Sequence, residues 1–374
     1  MAEASEGEQG PVVDLASRVP AVSRAVAVLD DLARNGPATL ANLARRLALP
    51  KSSLLGICQA LMEERLLAQD LGGRYTLGLA VAELAAAQAA RPPLLGTLGV
   101  TVPNSLNPFY AVEIAGIRQA AGELGAEVVA VDAEQDAEAQ VRQIEEFVAA
   151  GLDAIVLDAV HSTTVGEVVA KAQAAGVPVV AVNVGAEGAR ATVTTDNVQA
   201  GHLVGSHLAG LLGGRGSVAI VDGQPVTAVA DRIVGFLGAL RDHPDITIVA
   251  RQRGDHSVAS GEHIARRLLT RHPGLSAIFA INDPMAAGAL AAMTDLGVAV
   301  PLVSIDGAAV AVEAIGSGGP WQATAAQDPA RLGRLAVQYA AQAHAGDALA
   351  DGKRRLLPTK LITRDTLADY QPWG

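Results

Sequence analysis

A single cysteine, Cys58, serves 374 residues, so neither an internal disulfide nor a multi-cysteine metal site can form. Nothing therefore requires an oxidising compartment, and a reducing cytoplasm is the expected location. Basic residues are scarce as well: 28 Lys and Arg stand against 39 Asp and Glu, a formal net charge of −11. Such a balance opposes nucleic-acid binding over the chain as a whole. The first fourteen residues hold Glu3, Glu6, Glu8 and Asp14 without one Lys or Arg, the opposite of a basic signal-peptide start. Export by that route is not expected, and residues 1–14, lacking hydrophobic periodicity, read as a disordered tail. Long apolar runs are also missing. Half of the residues are hydrophobic, yet charges, Gln, Gly or Pro interrupt every run short of the roughly 20 residues that span a bilayer. No membrane partner is expected, and at roughly 150 residues per domain the length allows two or three domains.

The charge is unevenly spread. Residues 15–79 carry a net +3, whereas residues 80–374 carry −10, so any DNA contact must lie in residues 15–79. There, Val22, Val26, Leu29, Leu32 and Ala33 recur at helical spacing until Asn35-Gly36-Pro37 stops the helix. Thr39 can cap a second short helix with Leu40, Leu43 and Leu47 on one face. Ala48-Leu49-Pro50 leads tightly into a third helix, in which Leu54, Leu55, Cys58, Leu61 and Met62 form the expected buried stripe. Lys51, Ser52, Ser53, Gly56, Gln59 and Glu63 then face outward. Two short strands, Leu66-Leu67-Ala68 and Tyr75-Thr76-Leu77, joined at Gly72-Gly73 with Arg74 alongside, read as a wing.

Helix, tight turn, helix and wing is a geometry for entering a major groove. The runs Val22-Ser23-Arg24-Ala25-Val26, Leu43-Ala44-Arg45-Arg46-Leu47-Ala48-Leu49-Pro50-Lys51-Ser52-Ser53 and Gly73-Arg74-Tyr75-Thr76-Leu77-Gly78 closely resemble the winged helix-turn-helix of IclR-family transcriptional regulators, over residues 18–84. The resemblance implies that Lys51, Ser52 and Ser53 open a recognition helix and that Arg45 and Arg46 lie on the helix before it, near the DNA. Gln59, on the outward face, and Arg74, on the wing, complete the candidate DNA-binding set. Leu55-Gly56 departs from a His-Arg pair common in that family, which thins direct base readout.

Residues 79–91 read as an Ala-rich helix ended by Arg91-Pro92-Pro93, making 80–94 a linker. Beyond it the texture changes to short β-branched runs alternating with Ala-rich helical segments. The runs are Thr97–Val102, Glu127–Val131, Asp153–Leu157, Pro178–Val182, Ser217–Val221, Ile246–Ala250, Ala277–Ala280 and Leu302–Ile305. They predict an α/β fold of two Rossmann-like parallel sheets with a cleft between two lobes, over 95–374.

Polar residues follow several of these runs: Asn107-Pro108-Phe109-Tyr110, Thr195-Asp196-Asn197, Asn282-Asp283, Asp306-Gly307 and Gln327. Residues of this kind are ordinary turn formers, but open α/β sheets also bind ligands at this edge. Carboxylates, amides and guanidinium groups suit the hydroxyls of a polyol, and an aromatic face suits the C–H face of a sugar. In order and spacing, residues 95–374 resemble type I periplasmic sugar-binding proteins of the ribose-binding branch, shared with LacI-type effector domains. The resemblance implies a ligand set of Asn107, Phe109, Tyr110, Asn183, Thr195, Arg232, His256, Asn282, Asp306 and Gln327. Asn183 stands where an Asp is usual and Val184 where an Arg is usual. Tyr110 and His256 replace aromatic residues of the ribose branch, so ribose itself is not implied.

Together the halves predict a ligand-responsive transcriptional regulator, read as a repressor, that binds double-stranded operator DNA as a homodimer and senses a sugar or polyol. A transport receptor or a sugar-metabolising enzyme are the alternatives. The first has no use for residues 18–84. The second lacks a nucleophile with its base, and Gly213-Gly214-Arg215-Gly216 and Gly316-Ser317-Gly318-Gly319 have no phosphate-loop lysine or dinucleotide fingerprint. His161 and His263 have no ligand-spaced partners, so neither a metal nor a cofactor is called for.

Overall fold

The computed structural model describes residues 19–70, 72–89, 95–105, 107–346 and 353–373. The expected tail over 1–14 and the Arg91-Pro92-Pro93 end of the linker lie outside them. The protein divides into two compact units, residues 1–92 and 93–374.

The first unit runs α1 (Pro20–Asn35), α2 (Leu40–Arg46), α3 (Lys51–Glu63), β1 (Leu67–Gln69), β2 (Tyr75–Leu77) and α4 (Leu79–Ala89). Gly36, at φ +74°, ends α1 and donates to the Leu32 carbonyl, and the Thr39 hydroxyl caps α2 by accepting from the Asn42 N–H at 3.3 Å. The strands pair antiparallel with Leu67 opposite Leu77. Leu32, Leu43, Leu54, Cys58, Leu67 and Tyr75 share one small core.

Two expectations need correction here. Val22 and Val26 are 59% and 51% exposed, and Ala33 is exposed with them, because α1 buries the face carrying Val28, Asp31 and Leu32 instead. Buried Asp31 is held by the Arg46 guanidinium at 2.6 Å and by the Asn35 amide at 3.0 Å, so a charge sits where periodicity assigns the surface. Leu55, placed in the buried stripe of α3, is 40% exposed, since the core contact of that helix runs along Leu54, Cys58 and Leu61.

The second unit opens with β3 (Thr97–Val102), α5 (Pro108–Glu123), β4 (Glu127–Asp132), α6 (Ala137–Ala149), β5 (Ala154–Leu157), α7 (Gly166–Ala174), β6 (Val179–Val182) and β7 (Ala191–Thr195). It continues with α8 (Asn197–Leu211), β8 (Arg215–Asp222), α9 (Thr227–Ala239), β9 (Asp245–Arg253), α10 (Val258–Arg271), β10 (Ala277–Ala280), α11 (Asp283–Leu296), β11 (Leu302–Asp306), α12 (Ala309–Gly316) and β12 (Trp321–Ala326). Then come α13 (Pro329–His344), β13 (Lys353–Leu357) and β14 (Lys360–Thr363).

These strands form two six-stranded sheets, ordered β4-β3-β5-β6-β7-β13 and β9-β8-β10-β11-β12-β14. All pairings are parallel except β12 with β14. Strands β5, β6 and β10 are buried throughout, as sheets covered by helices on both faces require. The eight anticipated strands are present, Thr97–Val102 and Ala277–Ala280 with the expected bounds and the others with one or both ends shifted, and β7, β12, β13 and β14 join them.

The backbone passes between lobes three times: from β7 into α8, from β12 into α13, and from β13 into β14. The crossings bond to one another. Asp196 N–H donates to Leu357 O at 2.7 Å, and the Thr359 hydroxyl to Ala326 O at 2.6 Å. In the second lobe α8 and α9 cross so closely that a Cβ on Gly201 would lie 2.0 Å from the Arg232 carbonyl oxygen. Glycine at 201 thus fixes the height at which α9 presents Arg232.

Candidate functional site

Asn107, Phe109, Tyr110, Asn183, Arg232, His256, Asn282, Asp306 and Gln327 line one cavity between the lobes, about 440 Å³ of empty space counting the part open to solvent. Thr195 does not line it but stands behind it, its hydroxyl donating to Gln327 Oε1 at 2.8 Å.

Each group is aimed by its local fold. Asn107 caps α5, its Oδ1 accepting from Phe109 N–H at 3.0 Å, and Asn282 caps α11 by accepting from Met285 N–H at 3.0 Å. The turn-forming and pocket-lining roles therefore coincide in these residues. Arg232 is buried and triply held: Nε donates to Asn197 Oδ1 at 2.9 Å, Nη1 to Ile281 O at 2.7 Å, and Nη2 lies 3.4 Å from Asp306 Oδ1. Asp306 Oδ1 also accepts from Gln327 Nε2 at 2.7 Å. Burial raises the Asp306 carboxyl, while Arg232 and Gln327 oppose the shift. Behind it, burial pushes Asp283 up to about 8 even though the Ser304 and Thr324 hydroxyls and Ala308 N–H all donate to it.

Burial, with Arg232 adding to it, pushes the His256 ring down to about 4, so it is neutral at pH 7. Its Nε2 accepts from Gln224 N–H at 3.1 Å, and a Cβ on Gly223 would collide with that atom at 2.1 Å. Asn183, His256 and Asp306 have φ of +55°, +72° and +147°, conformations that side-chain-bearing residues adopt at a cost and that cluster at ligand sites.

Three residues that stand behind the cavity lining escaped the sequence reading. Asp158 follows β5 and its Oδ2 accepts from Asn183 Nδ2 at 2.9 Å; the strand-end signal that selects Asn107 and Asn282 applies to it equally. Glu113 is completely buried on α5, where an apolar-face pattern does not expect a carboxylate. Trp373 packs edge-on against Phe109 with centroids 5.6 Å apart, and its Nε1 donates to Asp306 O and Gln327 O at 3.2 and 3.1 Å. No local signal ties that tryptophan to the pocket.

In the first unit, Lys51, Ser52 and Gln59 are exposed on α3. Ser53 Oγ accepts from Arg24 Nη1 at 3.3 Å, which ties α3 to α1. Arg45 is exposed and donates to Asn42 Oδ1 at 2.5 Å. Arg74 pairs with Asp70 at 2.7 Å on the wing turn, and Arg46 is committed to Asp31. The seven candidates thus divide into an exposed group on α2 and α3, a serine bonded to α1, a paired wing arginine, and an arginine held by a buried carboxylate.

No group of three or more possible metal-ligating side chains exists among the described residues, and none of their helices is long and apolar enough to cross a membrane.

Residues 98–348 match the periplasmic binding protein domain, and residues 21–71 match the IclR helix-turn-helix domain. Curated relatives include the ribose import binding protein of Bacillus subtilis, 33% identical over 65% of this chain and 80% of that protein. That of Escherichia coli is 30% identical over 71% of this chain and 90% of its own. Among solved structures, a Mycobacterium smegmatis solute-binding protein with bound glycerol aligns at a TM-score of 0.71 and 29% identity, covering 75% of this chain and 99% of that one. A Bacillus halodurans solute-binding protein with bound myo-inositol aligns at 0.69 and 27%, covering 75% and 98%.

Proposed function

The chain belongs to the periplasmic binding protein domain family and carries an IclR helix-turn-helix domain, and from that premise we propose that it is a cytoplasmic, homodimeric transcriptional regulator whose DNA affinity is set by a sugar or polyol held between its lobes. The observation that carries the reading is the combination in one polypeptide of a DNA-binding module type with a cavity lined by Arg232, Asp306, Asn107, Asn282 and Gln327. A carboxylate accepts hydrogen bonds from adjacent hydroxyls, a guanidinium donates to their oxygens and an amide does both, and Phe109 supplies a flat apolar face. The ribose import binding proteins named above serve import; the added module gives the same kind of recognition a different output. Both domain types are binding rather than catalytic families.

The DNA contact is assigned to Lys51, Ser52, Ser53 and Gln59 on α3, with Arg45, Arg46 and Arg74 beside them. Operator affinity should fall steeply with salt, and each phosphate contact removed should lower the slope of log affinity against log salt by about 0.9. The deciding experiment titrates labelled operator with wild type and with the Lys51→Glu, Arg45→Glu double variant, with and without a ligand found by thermal-shift screening of pentoses, hexoses and polyols. Weaker binding by the double variant on all sequences is expected; unchanged affinity removes the DNA assignment. In the same assay Asp306→Ala and Arg232→Ala should lose ligand affinity at least about tenfold, since hydrogen bonds to charged groups contribute about 1.5 to 3 kcal/mol each. If both bind ligand as wild type does, the cavity is not the effector site.

A further inference from the structure

A second chamber, about 830 Å³ of empty space counting the part open to solvent, adjoins the inner cavity, and Tyr110, Val184, Val226 and His256 line both. It remains although the lobes already touch. Gly185 N–H donates to Thr227 Oγ1 at 2.7 Å, and Thr227 N–H lies 3.2 Å from Ser162 Oγ, each bond joining one lobe to the other. The space is therefore a feature of the closed cleft, and a ligand that filled only the inner cavity would leave it empty.

Where the two spaces meet, Val184 and Val226 offer only methyl groups, beside the Tyr110 and His256 rings. Beyond them no Lys or Arg lines the outer chamber. Its charged lining residue is Asp255, whose carboxylate accepts from Ser257 N–H and Oγ at 2.9 and 2.6 Å and titrates below the usual range. His256 is neutral, and His161 Nδ1 is occupied by the Thr163 and Thr164 hydroxyls at 3.2 and 3.0 Å. A phosphate or carboxylate there would meet the Asp255 carboxylate with no Lys or Arg to offset it. A neutral group fares better: Pro103, Ala159 and Val160 supply apolar wall, and the amides of Gln135 and Gln224 supply donors and acceptors from opposite lobes.

We propose that the effector is a neutral glycoside, one sugar or polyol unit in the inner cavity and an uncharged second sugar unit in the outer chamber. The proposal rests on the inner cavity being the sugar site. It adds that a free monosaccharide, or its phosphate ester, is an incomplete ligand.

The test measures dissociation constants by calorimetry on the full-length protein for matched sets: D-xylose with xylobiose, D-glucose with cellobiose, D-galactose with β-1,4-galactobiose, L-arabinose with arabinobiose, and the monosaccharide phosphates. At least one disaccharide should bind at least tenfold tighter than its monosaccharide. Thr164→Trp and Ala137→Trp, which add bulk to the outer chamber alone, should each reduce that preference at least fivefold. Monosaccharides binding as tightly as every disaccharide, a preference untouched by both tryptophan variants, or a phosphate ester binding best would overturn the glycoside proposal and leave the sugar-sensor reading standing. Binding by no member of the panel would overturn both.

Discussion

Gly56 sits on the exposed face of α3, and a Cβ there would meet nothing within 4 Å. The fold does not require glycine at this position, and its backbone is helical. Gly56→Ala should therefore raise stability by about 0.5 to 1 kcal/mol, the difference in helix propensity, read as a higher denaturant midpoint at unchanged slope. Operator affinity of the same variant separates two uses of the residue. A loss assigns it to close approach of helix backbone to DNA, and no change assigns it to drift. Asp158 presents the opposite case, a group whose environment is costly. Burial pushes its carboxyl up to about 8 against the opposing hydrogen bond from Asn183. Nearby, Asn183 Oδ1 and both carboxylate oxygens of Glu113 have no hydrogen-bond partner among the described residues. Between pH 4 and 8 the folded state then holds a proton that the unfolded state has released, so stability falls as pH rises through that window. Asp158→Asn cannot ionise, and with Asn183 flipped its new amide can donate to Asn183 Oδ1. Its stability relative to wild type should grow between pH 5 and 8 by on the order of 1 to 3 kcal/mol. Parallel pH profiles in urea melts would refute the buried titration.

At the scale of elements, α1 shows an apolar stripe to solvent. Val19, Val22 and Val26 are 55%, 59% and 51% exposed, and on α4 Leu79 and Leu84 are each 64% exposed. Contiguous apolar faces on a small unit mark association surfaces, and a two-fold dimer uses the same face twice. The expected homodimer gains a specific test from this. Val22→Glu with Val26→Lys should shift sedimentation from dimer toward monomer at micromolar concentration and weaken binding to a palindromic operator more than to a half-site. The helical fold of this unit should remain, because both valines lie outside its core. If sedimentation is unchanged, association uses another surface. Strands β7 and β12 illustrate a different lesson. Ala191–Thr195, with Val193 and three threonines, favours a strand by composition, whereas Trp321–Ala326, with three alanines, has little strand preference of its own. Both are fixed as strands by parallel neighbours, β6 and β11, that satisfy their backbone groups.

For the whole molecule the central question is how cleft and operator communicate. The proposed ligand groups come from both lobes: Asn107 and Phe109 from one, Arg232 and Asn282 from the other, with Gln327 on a crossing. A ligand therefore gains its full contact set only when the lobes are closed. If the operator-bound dimer tolerates one lobe angle, ligand must change operator affinity. Reciprocity then requires operator DNA to change ligand affinity by the same factor, typically about 5- to 150-fold. The expected direction is release of DNA by ligand. Two titrations check it, operator affinity at saturating ligand and ligand affinity at saturating operator. Unequal factors or no change in either would sink the coupling. Asp306→Ala should abolish the response at the wild-type ligand concentration while operator affinity without ligand stays the same.

The order of elements, the separation into a helical module and a doubly repeated α/β module, and most pocket side chains were legible from the amino-acid sequence alone. Those features rest on local physics, namely apolar period, capping residues, Gly and Pro punctuation, and polar groups at strand ends, except that Asn183, Arg232 and His256 were marked only by the resemblance to sugar-binding proteins. Tertiary structure alone decided the rest. Burial of Asp31 turned α1 because Arg46, on the next helix, compensates the charge. Trp373 reached the pocket because β14 and the segment after it return the C-terminal residues to the ends of β11 and β12. Glu113 and Asp158 came together across α5 and β5, where only packing could reveal two desolvated carboxylates. The outer chamber is likewise a product of two lobes meeting. Its walls come from segments far apart in sequence, and no periodicity within either segment encodes the space between them.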